Sequence, residues 1–343
     1  MRELLASAAV TAPKLPLLLL VLTATPALAE SDWFASLYTG DGVELRADER
    51  VFTLYALFNA MGYDNAPVTR KDPLPKYHFH PVRKEIRSRM LAADPAMRQQ
   101  ADLFFDAHPV SMERYLQYTV NTAPPPFTTG PKQKELQDLK GLEGLLRAVH
   151  TQWNITDAMA AVQGEYRKAL KPYLTSLDAP LGRLKKTLKI ADTGPQALLV
   201  INLLEAQDTV RGVMGDNEVV LVVGPSDKPN VDAILREYAR VFVEPTVAKK
   251  AQSGWGGGPV MLKEAQLLGA TDSTVGEYAT SLFSRALALR AMEATEAQMD
   301  AEASRGYFGI KDVAKGFDEG KPLDAWMMDA LLKVETRRPA PKK

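Results

Sequence analysis

The chain has 343 residues, no cysteine, and 42 Lys+Arg set against 42 Asp+Glu. Zero cysteine excludes disulfides, thiol catalysis and thiolate metal sites, so stability must come from core burial. Balanced charge excludes the whole-chain basic footprint of a nucleic-acid binder, and the length suits one large domain or two ordinary ones.

Residues 1–29 follow the order of a bacterial-type secretory signal peptide. Arg2 and Lys14 supply positive charge, residues 15–22 form an apolar run broken only by Pro16, and Ala27-Leu28-Ala29 offers a small-x-small cleavage pattern before Glu30. The run is about eight residues, short of the roughly twenty that span a bilayer. The expected mature chain is therefore a periplasmic or secreted protein with no integral membrane segment after cleavage. Loss of Arg2, Glu3 and Lys14 leaves 40 basic and 41 acidic residues.

Apolar residues recur at three- and four-residue intervals over 49–61, which predicts a helix. Pro67, Pro73 and Pro75 then break the chain. Further helices are predicted at 81–93, 95–107 and 112–118. The proline-rich stretches 123–126 and 128–131 form a loop that cannot be helical. Two longer helices follow, at 134–154 and 157–177. The texture changes near Gly194-Pro195: residues 198–204 read as a buried strand, and 210–214 with 218–223 flank Gly215-Asp216-Asn217 as a β-hairpin. Asn230 is placed to cap a helix from Val231. A glycine-rich loop at 253–259 precedes a helix predicted from Thr274 to Arg305, and Pro322 opens a short terminal one. The basic, proline-rich end at 336–343 reads as a disordered tail.

The most informative stretch is Ile234-Leu235-Arg236-Glu237-Tyr238-Ala239-Arg240-Val241-Phe242-Val243-Glu244-Pro245. It resembles the zinc helix of an uncharacterised bacterial family of zincin-like metallopeptidases of the HExxH, gluzincin-like type, which carries His-Glu-aromatic-x-His, an aromatic and a proline. Glu237 stands at the family's catalytic glutamate, Tyr238 and Phe242 at its aromatics and Pro245 at its proline. Arg236 and Arg240 stand where the histidines would be. The resemblance covers 195–305 and implies an α+β, predominantly helical protein: a helical region at 30–193, then a zincin-like domain at 194–335 with a small sheet or hairpin and active-site-type helices.

Residues four apart share a helical face, so two imidazoles at this spacing can hold zinc while the glutamate polarises its water. A guanidinium has no lone pair to give and stays protonated. Zinc is therefore not expected, and no other cofactor is implied. The resemblance makes Glu277 the candidate third ligand position, although Thr274-x-x-Glu277 is also a capping box. Glu237 reads equally as a surface glutamate in a helical Glu–Arg pair. Tyr238 and Trp255 are groove candidates, the latter also readable as part of a flexible connection. His78 and His80 could share a metal only with further ligands from elsewhere.

The implied function is that of an exported, catalytically inactive metallopeptidase-like protein, a pseudoenzyme that binds a peptide, protein or cell-envelope component. Two alternatives stay open: an active hydrolase with relocated metal ligands or a metal-free glutamate, and a structural envelope protein.

Overall fold

A computed structural model describes residues 37–38, 43–62, 78–92, 95–174, 177–190, 194–318 and 320–336. The expected leader at 1–29 and tail residues 337–343 lie outside them. Helix α1 (Glu49–Met61) matches its predicted span, and Val51 through Ala60 are all buried because its apolar residues cover every side. Asp48 caps it, accepting the amides of Arg50 at 2.9 Å and Val51 at 3.4 Å. Asp48 also pairs with Arg46 and Arg50 at 2.9 and 2.7 Å. Burial raises its pKa, but these arginines outweigh that and hold it at about 2.

Five strands, β1 (Leu37–Tyr38), β2 (Glu44–Arg46), β3 (Gln196–Ile201), β4 (Val210–Met214) and β5 (Glu218–Val223), form one sheet in the order β1-β2-β3-β5-β4. β2, β3 and β5 are parallel, whereas β4 runs antiparallel to β5 along the edge. The hairpin limits are those predicted; β3 starts and ends earlier than its predicted 198–204. Ala197, Leu199, Ile201, Val219, Leu221 and Val223 enter one core with the C-terminal helices, and the intervening Leu198, Val200, Val220 and Val222 are buried too. Both faces are thus covered, as continuous apolar runs in parallel strands require. Pairing of β2 with β3 carries the sheet across the boundary expected at 193–194, and the described residues form one compact unit. The region 30–193 is accordingly not purely helical.

The N-terminal helices continue with α2 (Pro81–Leu91), α3 (Pro95–Ala107) and α4 (Met112–Val120). The predicted helix at 134–154 is instead a 3₁₀ turn at Lys134–Leu139 followed by α5 (Leu142–Gln152). Gly141, at φ +105°, takes the left-handed conformation that separates them. The stretch 157–177 likewise divides, into α6 (Ile155–Ala161), α7 (Gln163–Leu170) and a 3₁₀ turn at Lys171–Tyr173 that contains Pro172, before α8 (Asp178–Thr187).

The C-terminal part holds α9 (Val231–Gly254), α10 (Gly258–Leu267), α11 (Val275–Ala291), α12 (Glu296–Ser304), α13 (Ile310–Lys315) and α14 (Leu323–Thr336). Asn230 caps α9 as predicted, accepting the Ala233 amide at 3.1 Å. The helix runs on through Pro245 to Gly254, which leaves only a short link where a glycine-rich loop was expected. One predicted helix at 274–305 is two, because Thr295 and Gln298 form a capping box that starts α12. α14 reaches Thr336, the first residue of the expected tail. Among the described residues no helix is long and apolar enough to cross a membrane.

Candidate functional site

The segment Arg236-Glu237-Tyr238-Ala239-Arg240 lies on the N-terminal half of α9, packed between edge strand β4 and α11. Glu237 and Arg240 face β4. The Gly212 amide donates to Glu237 Oε2 at 3.2 Å, and Arg240 Nη2 donates to the Gly212 carbonyl at 2.5 Å. Arg240 Nε donates in turn to Glu237 Oε2 at 2.8 Å, and its third nitrogen, Nη1, reaches Glu244 at 2.5 Å. A carboxylate and a guanidinium thus occupy the outward-facing amide and carbonyl that an edge strand otherwise leaves for a neighbour. Burial pulls the Arg240 pKa down, but Glu237 and Glu244 outweigh it and the net shift is upward.

Arg236 points to the other side of this clamp. It pairs with Asp232 one turn earlier at 3.0 Å. Facing it on α11 is Arg285, which donates to Glu302 of α12 at 2.6 Å and lies 4.0 Å over the Tyr307 ring. Burial is the largest influence on Arg236; with the positive charge of Arg285 it lowers the pKa despite the pull of Asp232. A cavity of about 170 Å³ opens here, lined by Val210, Ala233, Arg236, Glu237 and Arg240, and from α11 by Ser281, Ser284 and Arg285. Beyond the clamp, a second hollow of about 270 Å³ runs between α4 and α9 past Gly212 and Met214. The α4 side meets the same strand, since Asn121 donates to the Met214 carbonyl at 3.0 Å.

Glu277 does not join this cluster. Its carboxylate accepts the Ser273 amide at 2.7 Å, and its own amide donates to Thr274 at 3.1 Å. These are cap interactions at the exposed start of α11. The helices pack in opposite directions, so Gly276 meets Ala248 of α9 while Ser281, Ser284 and Arg285 lie opposite Arg236. Tyr238 and Trp255 are not groove residues either, at 0% and 3% exposure. Tyr238 sits on the core face of α9, and the Trp255 ring stacks on Tyr278 with centroids 5.9 Å apart.

The histidines are spread through the N-terminal part. His80 caps α2 through its ring at 3.3 Å from the Val82 amide, and His108 meets the Phe104 carbonyl at 2.8 Å. His150 lies 2.8 Å from Glu49, joining α5 to the start of α1. His78 is exposed. Among the described residues no three His, Asp or Glu side chains are grouped as a metal would need.

No family model, curated protein or solved structure matches this chain. The site therefore stands on its own geometry. Its α9 half was readable from the motif; Asp232 was missed, although its four-residue spacing to Arg236 marks the pair. Its α11 half was not, because Ser281, Ser284 and Arg285 belong to no motif and reach the cleft only through helix packing.

Proposed function

We propose that the protein is an exported, zincin-like pseudopeptidase whose cleft between β4, α9 and α11 binds a peptide, protein or cell-envelope component. The carrying observation is what the motif residues do. Glu237 is held by the Gly212 amide and Arg240, where a catalytic carboxylate would face a metal-bound water. Arg236 and Arg240 put two guanidinium groups on the face that two imidazoles would need, and neither can donate a lone pair. A hairpin leading into the motif helix, with a second helix packed across it, supports the zincin-like ancestry, and the cavities on either side of the clamp supply the binding surface.

The reading is tested by incubating purified residues 30–343 with an unfolded protein substrate and following cleavage by mass spectrometry. No cleavage above that of the Glu237→Gln variant is expected. Cleavage that Glu237→Gln abolishes would establish the active hydrolase instead.

A further inference from the structure

The cavity between Arg236 and Arg285 has a physical origin in side-chain size. Two helices in contact normally interdigitate side chains to close packing. Here the lining includes Ala233 on α9 and Ser281 and Ser284 on α11, all small, together with Val210 of β4. Neither serine supplies a free hydroxyl proton, since Ser281 donates to Asp272 at 2.6 Å and Ser284 to the Thr280 carbonyl at 2.7 Å. The polar character of the space therefore comes from the arginines and Glu237.

Both arginines are held from behind. Asp232 fixes Arg236, and Glu302 fixes Arg285 from α12 while also pairing with Arg305. The Asp232 carboxylate takes Arg236 Nη2 at 3.0 Å and its carbonyl takes Nε at 3.4 Å, while Glu302 takes Arg285 Nη1 at 2.6 Å, so further N–H groups remain on two positioned cations that line one small cavity. Glu237 is neutralised by Arg240. With Asp232 and Glu302 each holding one arginine, two oriented forks still line the same space, and planar guanidinium forks match a carboxylate.

We propose that this cavity is a binding site for a single carboxylate group, supplied by the C-terminus or an acidic side chain of a peptide and gripped between Arg236 and Arg285. The proposal deepens the binding reading above, and it is read out by ligand affinity rather than by zinc content or cleavage, so either can fail alone. The cavity lies at the Val210 end of the edge strand.

The test uses residues 30–343 and heteronuclear NMR titration with four probes: acetyl-Ala-Ala with a free carboxylate, its C-terminal amide, acetyl-Glu amide and inorganic phosphate. Binding of the free acid is expected, at least tenfold tighter than that of the amide, and at least tenfold weaker in Arg285→Gln and in Arg236→Gln. Acetyl-Glu amide binding more tightly than the free-acid peptide would assign the site to side chains, weaker binding to chain termini, and equal binding to a carboxylate from either source. Ala233→Leu, which fills the space and keeps every charge, should abolish binding while thermal unfolding shows the fold retained. Equal affinity for acid and amide, affinity unchanged by Ala233→Leu and both arginine variants, or tighter binding of phosphate than of any carboxylate would overturn the proposal.

Discussion

Gly212 and Glu237 touch backbone to backbone across the strand–helix junction. The glycine amide donates to the Glu237 carboxylate at 3.2 Å, and a Cβ on Gly212 would stand 2.9 Å from the Glu237 backbone oxygen. Glycine is needed here for close approach rather than for a special turn.

Gly212→Ala should therefore destabilise the protein by about 1–3 kcal/mol, because the clash is with helix backbone and not with a movable side chain. Gly144→Ala is the control. It lies in α5 with nothing within 4 Å of the added Cβ and should gain roughly 0.5–1 kcal/mol. Urea denaturation of both variants checks the pair; equal effects would refute the junction as described.

Asp48 links the α1 cap to acid stability. Its folded pKa, about 2, lies below the ordinary 3.8, so its contribution is complete above the ordinary value and fades as the pH falls toward 2. The shift corresponds to about 2 kcal/mol. Asp48→Asn keeps a capping oxygen but loses the charge, so its stability deficit should be of that size at pH 7 and be lost as the pH falls through 2. A deficit independent of pH would show that the arginine pairing contributes nothing.

Glu205 is a second buried carboxylate, 5% exposed, accepting from Tyr55 Oη and Arg211 Nε, each at 2.8 Å. Arg211 also pairs with Glu113 of α4, so the network ties α1, α4 and β4 together. Glu205→Ala should cost about 3 kcal/mol, since it leaves the tyrosine hydroxyl and Arg211 Nε without their buried acceptor while Arg211 keeps only Glu113. Tyr55→Phe should cost about 1–2 kcal/mol. A double-mutant cycle over Tyr55 and Glu205 should show coupling; additive losses would contradict the shared hydrogen bond.

Trp255 distinguishes packing from ligand contact. Its ring stacks on Tyr278 inside the core, and its indole nitrogen has no hydrogen-bond partner among the described residues. Trp255→Phe should thus be mild, and Trp255→Ala should cost about 3–5 kcal/mol in thermal unfolding. A nearly neutral alanine variant would return the residue to an exposed loop.

Much of the fold was legible where local chemistry decides it. The all-apolar 49–61 helix, the hairpin around Gly215-Asp216-Asn217 and the Asn230 cap all lie where their residues predict. Helix breaks at Gly141 and Thr295 were missed although a glycine and a Thr-x-x-Gln box mark them. β2 was invisible because three residues carry too short a pattern, and only pairing with β3 makes them a strand. At the site, spacing along α9 revealed which residues share its face. It could not reveal that the register between α9 and α11 brings Arg285 to that face, whereas the Thr274-x-x-Glu277 spacing already offered Glu277's cap role.

We propose that Arg236 and Arg240, at positions where histidines would be needed, leave this cleft unable to hold zinc. Residues 30–343, purified without chelator and dialysed against micromolar zinc, should contain well under 0.1 zinc per chain by elemental analysis, with the same value for Glu237→Gln. One zinc per chain that is lost on substituting Glu237 would contradict it.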